Sequence, residues 1–191
     1  EEFKRATDLL RQAGIEPGIV HAASTVAAVL YPEARFDCIR PGLGTYGIYD
    51  PSWLKQRIRL KPVMSWKALV IQLKDYPPGN SLGYNRTYVT RKPTRVAVLP
   101  VGYADGYLRG FSNTAHVIIN GVRAPVVGMV SMDYTMVDVT GIRDVDVGTV
   151  ATLIGSDGGE SVTAEELAAL VPDVIPYEIT TRLGPRVARC Y

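Results

Sequence analysis

Near residue 50 the chain changes its hydrophobic rhythm, and this change constrains the fold more than any single motif. Before it, Phe3, Ala6, Leu9, Leu10 and Ala13 recur at helical spacing until Gly14 and Pro17 stop the turn, which predicts an amphipathic helix. The apolar run over 18–22 then reads as a buried strand. Ser24 is placed to cap a helix over 25–30 that Pro32 ends, and a second strand falls around 36–39. Helix and strand alternating in so few residues predict βα units of a parallel sheet. Two such units neither close a barrel nor cover both faces of a sheet, so this section is expected to complete a larger α/β domain.

From about Asp50 the runs 64–76, 95–101, 115–119, 122–127, 129–139 and 149–154 are β-rich and separated by turn residues. Asn120-Gly121 between two of them is a hairpin signal, because a type I′ turn needs two positive φ angles. Thr163 with Glu166 forms an expected capping box ahead of Leu167, Ala168 and Leu170. The stretch 51–175 therefore reads as a β-barrel or sandwich, with no internal repeat and no low-complexity tract.

Composition narrows the partners. With 191 residues, 47% of them hydrophobic and 21% charged, the chain is long enough for one core, or one plus part of another. Lys and Arg number 21 against 19 Asp and Glu, which makes no electrostatic case for nucleic acid or an anionic membrane. Basic residues do not gather around the aromatics either, which argues against an oligonucleotide-binding barrel. The apolar runs are far shorter than the ~20 residues of a membrane-spanning helix, and no signal peptide opens the chain. Cys38 and Cys190 stand in no metal-ligand spacing, so a cytoplasmic location without structural metal or disulfides is expected. The first residue is Glu1 rather than Met, which suggests a processed, trimmed or truncated product.

Groups able to do chemistry collect in a few places. Eleven tyrosines against three phenylalanines suggest that some hydroxyls work, although most of these rings are expected to be half-buried packing residues. Arg40-Pro41-Gly42-Leu43-Gly44-Thr45-Tyr46-Gly47 follows a predicted strand, and both an ordinary turn and an anion-binding loop fit it. Arg40 brings a permanent cation to a strand end, and His21 ends the preceding strand. Three further loops, 81–85, 102–107 and 128–133, concentrate polar and special residues. Taken separately, these features leave enzyme, ligand-binding module and scaffold open.

Taken in order, the segments resemble the alanine racemase family, enzymes that use pyridoxal 5′-phosphate (PLP) on a (β/α)8 barrel followed by a C-terminal β domain. The resemblance rests on His21-Ala22-Ala23-Ser24-Thr25, on 36–43 with Tyr46-Gly47, on Gly83-Tyr84 with Thr87-Tyr88, on 100–106, on Gly128 with Met132-Asp133, and on Tyr177-Glu178. It implies that residues 1–50 are the last units of the PLP-binding barrel and 51–191 the C-terminal β-rich domain. It also implies interconversion of L- and D-alanine by two bases, supplying D-alanine to peptidoglycan. Tyr84 is similar to the family's catalytic tyrosine. Arg40 matches the arginine at the pyridine nitrogen, His21 the histidine beside it, and Thr25, Ser24, Gly42 and Leu43 the positions around the phosphate. Tyr177 matches a tyrosine that reaches the phosphate and lines the pocket, Met132 the residue whose N–H meets the substrate carboxylate, and Tyr103 and Asp133 the access corridor.

The family's motif bearing the lysine that holds PLP as a Schiff base has no counterpart in these residues, so the chain alone is expected to be inactive. A head-to-tail homodimer is implied, with Tyr84, Tyr103 and Met132 acting on the partner's cofactor. Two other readings stay open: a serine or broad-specificity racemase, and a non-catalytic binding or assembly domain.

Overall fold

A computed structural model describes residues 1–191, which form two compact units, Glu1–Lys61 and Pro62–Tyr191. In the first unit, helix α1 (Glu2–Gln12) ends where Gly14 takes a positive φ. Its apolar face is sparsely covered. Phe3 packs edge-on against Phe36 at 5.2 Å between ring centres, while Leu9 and Leu10 stay exposed and Thr7 is the helix's buried residue.

Strand β1 (His21–Ser24), helix α2 (Thr25–Leu30) and strand β2 (Cys38–Arg40) follow, and β1 pairs with β2 in parallel, as the alternation predicts. Both strands start later than the apolar runs suggest. Gly18 and Phe36 have positive φ, and the Val20 N–H is taken by the Asp37 carboxylate at 2.9 Å before the ladder begins. The segment after Asp50 packs with this unit: Leu54 is fully buried, and the Tyr49 hydroxyl accepts the Leu60 N–H at 2.7 Å.

The second unit is mostly antiparallel sheet, as expected. Its strands are β3 (Trp66–Leu69), β4 (Gln72–Tyr76), β5 (Ser81–Leu82), β6 (Tyr88–Val89), β7 (Thr94–Leu99), β8 (His116–Ile119), β9 (Val122–Pro125), β10 (Thr135–Asp138), β11 (Val150–Asp157) and β12 (Glu160–Val162). One sheet runs β10-β7-β4; a second runs β12-β11-β8-β9 with β3 also on β11; β5 and β6 form a separate pair. The apolar run 64–76 is therefore two strands. It breaks at Val70, whose N–H and C=O bond Thr149 and Gly148, so that β3 joins one sheet and β4 the other. The run 129–139 is likewise strand only from Thr135, because the residues before it form the loop discussed below.

Asn120 and Gly121 both have positive φ and turn β8 into β9 as the type I′ signal requires. Thr163 caps helix α3 (Ala164–Ala168) by accepting the Glu166 N–H at 3.1 Å, but the capping box is only half formed. The Glu166 carboxylate turns instead to Arg123, whose Nη2 lies 3.0 Å away and which holds that carboxyl below its usual range. A second helix, α4 (Pro176–Thr181), follows. Pro176 takes the first helical position, and the Glu178 carboxylate two residues on accepts the Ile175 N–H at 3.3 Å.

Val96, Ala97, Leu99, Val117, Ile118, Ile119 and Leu153 fill the core between the sheets. Tyr107 is buried with them, edge-on to Phe111 at 4.9 Å and to Trp66 at 5.8 Å. Its hydroxyl has no hydrogen-bond partner, and burial pushes the phenol well above its ordinary pKa. Leaving a buried donor unpaired costs about 1–3 kcal/mol. Tyr107→Phe is therefore expected to stabilise the protein by about 1 kcal/mol, read as a higher denaturant midpoint at unchanged slope. A lower midpoint would show that the hydroxyl has a partner.

Candidate functional site

The sequence-predicted residues fall into two groups, one on each unit. On the first unit, β1 and β2 end side by side, with Ser24 opposite Arg40 in the register. Arg40 Nη2 donates to the Ala22 carbonyl at 3.0 Å, which sets the guanidinium along the end of β1, while His21 stands exposed at the strand's start. Beyond Arg40 the chain turns through Pro41 and Gly42 into a 3₁₀ turn over Leu43–Tyr46, closed by Gly47 at φ 75°. Thr45 Oγ1 pins the turn by donating to the Pro41 carbonyl at 2.6 Å.

Thr25, at the start of α2, faces this turn. A Cβ on Gly44 would lie 2.7 Å from Thr25 Cγ2 and 2.9 Å from its Oγ1, so only glycine lets the two segments close. Thr25 Oγ1 is buried yet has no hydrogen-bond partner. A buried hydroxyl left unmatched beside a glycine turn is the pattern expected of a group that waits for an anionic ligand. Thr25, Gly44, Thr45, Pro41 and Ile39 line one cavity here.

On the second unit, three loops meet. Gly83, at φ 70°, leads into a turn over Tyr84–Arg86 in which Asn85 and Arg86 also take positive φ. Left-handed backbone costs a non-glycine residue about 1–2 kcal/mol, so this turn is held by its surroundings. Gly83 and Gly128 supply one hold: a Cβ on Gly83 would lie 3.1 Å from the Met129 nitrogen, and one on Gly128 3.0 Å from the Leu82 carbonyl. Asn113 supplies another, donating to Thr87 Oγ1 at 3.1 Å and accepting the Gly128 N–H at 2.7 Å. The Tyr84 ring is left 70% exposed, beside a cavity lined by Gly83, Met129, Ser131, Tyr134 and Met136.

The 128–134 loop is tied in turn to the 102–106 loop. Tyr103 N–H donates to the Ser131 carbonyl and Ala104 N–H to the Met132 carbonyl, both at 3.0 Å. These bonds use the carbonyl of Met132, not its N–H. Asp105 Oδ2 accepts the Gly102 N–H at 3.0 Å, and Arg186 reaches both Asp105 and Asp133. Tyr84, Tyr103, Met132 and Asp133 are thus brought to one connected set of loops. Tyr177 stands on α4, half exposed, with its carbonyl accepting the hydroxyls of Thr180 and Thr181.

Sequence reasoning missed Asn113 and gave Arg186 no role, and it singled out the 102–107 loop without seeing why Gly102 must be glycine. Arg186 lies in the basic tail, and only its fixed offset from the 102–106 motif in space, not in sequence, reveals its role.

The strand ends with a glycine turn, followed by an antiparallel domain that displays tyrosines on tied loops, define a two-part α/β and β protein in which each part carries functional groups. Residues 63–191 match the family model "Alanine racemase, C-terminal domain", and residues 1–50 match "Alanine racemase, N-terminal domain". The chain belongs to the alanine racemase family.

Among its relatives, the alanine racemase of Symbiobacterium thermophilum is 43% identical and that of Halothermothrix orenii 40%, each over all of this chain and 50% of the relative. The chain thus spans about half the length of the curated relatives it matches. Among solved structures, alanine racemase of Clostridium difficile in complex with cycloserine superposes with a TM-score of 0.88 at 33% identity, over 97% of this chain and 48% of that one. Alanine racemase of Bacillus anthracis with bound L-Ala-P gives 0.86 at 33% identity, over 97% and 47%. The Bartonella henselae enzyme with covalently bound pyridoxal phosphate gives 0.81 at 34% identity, over 97% and 50%.

Proposed function

We propose that this chain serves as the C-terminal half of a PLP-dependent racemase that interconverts L- and D-alanine, working in the cytoplasm as a homodimer and supplying D-alanine for peptidoglycan. The observation that carries the reading is the buried, unpartnered hydroxyl of Thr25 facing the Gly44 turn, one helix start away from Arg40. In this reading Thr25, Ser24, Gly42 and Leu43 hold the cofactor's phosphate, Arg40 holds the pyridine nitrogen, and His21, at the start of β1, supports Arg40. When bound, the cofactor supplies an electron sink for the bond broken at the substrate's α-carbon.

The chain's own residues set how that sink is used. A guanidinium keeps its proton at any working pH. With the cofactor bound, Arg40 would donate a hydrogen bond to the ring nitrogen without passing it a proton, which would weaken the sink and shift the burden to the bases on either side of the α-carbon. Tyr84 is one base and acts on the L-face, the lysine outside the matched motifs is the other, and the 191 residues alone carry half the chemistry. Met132 binds the substrate carboxylate through its N–H, while Tyr103 and Asp133 shape the way in. Tyr84, Tyr103 and Met132 serve the partner's site in the dimer. Tyr177 at the pocket keeps it small, which favours alanine over larger amino acids.

The test is Thr25→Val in the full-length protein. Valine keeps the branched shape and puts a methyl group where the hydroxyl was, and since that hydroxyl has no partner the unloaded protein is expected to melt no lower than the original. A hydrogen bond to a charged group is worth about 1.5–3 kcal/mol, so PLP retention, followed by its yellow absorbance through dialysis, is expected to weaken about tenfold or more. Unchanged retention would mean that the hydroxyl does not face the phosphate. A full-length protein that neither binds PLP nor racemises alanine would overturn the whole reading.

A further inference from the structure

One guanidinium on the second unit joins two carboxylates from different loops. Arg186 Nε donates to Asp105 Oδ1 at 3.0 Å, and its Nη1 donates to Asp133 Oδ1 at 2.8 Å. The two aspartates are unlike. Asp105 has a side chain only 9% exposed, and its second oxygen already accepts the Gly102 N–H, so its place is fixed from within the 102–106 loop. Asp133 is 44% exposed and takes its charge partner from Arg186.

The segment that delivers Arg186 is itself anchored to the same loop. Gly184 N–H donates to the Asp105 carbonyl at 2.9 Å, and Gly106 lies so close that a Cβ there would come within 2.5 Å of the Arg182 carbonyl oxygen. The guanidinium is therefore built onto the loop pair, and it is the cation that faces both carboxylates.

The consequence lies next to Asp133 in sequence. Met132 is the residue whose N–H receives the substrate carboxylate in the function proposed above, and this inference rests on that reading. A bare carboxylate on the following residue would repel the anionic end of every substrate that binds there. We propose that Arg186 is a positioning residue for substrate binding: it neutralises Asp133 and keeps the Tyr103 and Met132 loops in register, so that the Met132 N–H meets an anion without an opposing charge. The ion pair with the buried Asp105 is what holds the guanidinium in place for this task.

The experiment measures alanine racemisation, together with propionate binding by calorimetry, on four forms of the full-length protein: unsubstituted, Arg186→Gln, Arg186→Lys, and Arg186→Gln with Asp133→Asn. Propionate carries the substrate's carboxylate without its amine. Arg186→Gln is expected to raise KM for alanine about tenfold while kcat changes less than about threefold. Added salt is expected to lower that raised KM, because it screens the repulsion. Arg186→Lys keeps the charge and is expected to hold KM within about threefold. The double variant is expected to bring KM back toward the unsubstituted value, because the charge that needed masking is gone.

A fall in kcat at unchanged KM, equal damage from Lys and Gln, or no recovery in the double variant would overturn the proposal. Since Arg186→Gln also strips the buried Asp105 of a donor, its melting temperature is recorded, and the Lys and double variants separate that cost from the charge effect. If the unsubstituted protein shows no racemisation, that counts against the function reading. Propionate affinity in the order unsubstituted, Lys, double, Gln then supports the masking role by itself, and no propionate binding by any form overturns it.

Discussion

Tyr84→Phe in the full-length protein is expected to cut racemisation by about 100- to 10,000-fold, the usual worth of a positioned acid–base group, while PLP binding and the fold stay intact. The ring is 70% exposed, so no core contact is lost with the hydroxyl. The surrounding turn is held by Gly83, Gly128 and the Asn113 bonds, none of which involves the phenol oxygen. The effect should also be one-sided. If Tyr84 serves a single face, solvent deuterium should stop exchanging at the α-position of L-alanine, while the D-enantiomer still exchanges through the other base. Equal loss from both enantiomers would sink the two-base assignment and recast Tyr84 as a binding group. Free tyrosine, with a pKa of about 10, is a poor base at neutral pH, so the reaction needs a second group to draw the proton away. The exposure of Tyr84 on this chain agrees with a role completed only when another surface covers it.

Much of the architecture is legible in local pattern because it is decided locally. The parallel βα pairing in 1–50, the Asn120-Gly121 hairpin and the Thr163 cap each depend on a few neighbouring residues. What escapes the pattern is decided at a distance. Nothing in 64–76 announces that the run divides between two sheets at Val70, because the partners that divide it, Thr149 and Gly148, lie far along the chain. Glu166 looks like half of a capping box, and only the arrival of Arg123 from β9 shows why its carboxylate turns away.

The site follows the same rule. Motifs expose groups such as Arg40, Thr25, Tyr84 and Met132, since each stands within a short distinctive segment. They do not expose what holds those groups, because Asn113, Arg186 and Gly102 reach their partners across long gaps in sequence. Nor does residue type alone show that Thr25 Oγ1 is left without a partner; that follows from burial, which tertiary structure sets.

Gly102→Ala is expected to be the most damaging change of a single methyl group in the second unit. Gly102 has φ −151°, an extended conformation open to any residue, so the requirement for glycine is purely one of space. A Cβ there would lie 2.3 Å from the Ser131 carbonyl oxygen and 2.4 Å from that of Met132. These atoms belong to backbone, and they are the same carbonyls that accept the Tyr103 and Ala104 N–H groups. No side chain can swing aside to relieve the contact, so the two loops must part. Overpacking of this kind costs about 1–3 kcal/mol or more, and two loop-to-loop hydrogen bonds at about 1 kcal/mol each are put at risk with it.

The melting temperature should therefore fall by several degrees, and the fall should come with a functional signature. Because Met132 sits on the displaced loop of that contact, KM for alanine should rise more than the stability loss explains at temperatures where the protein remains folded. PLP retention, whose proposed contacts lie mainly on the other unit, should change far less. If stability falls and KM does not move, Met132 does not receive the substrate carboxylate, whatever the fate of the loops. If neither moves, the close approach of the 102–106 and 131–133 loops is itself wrong.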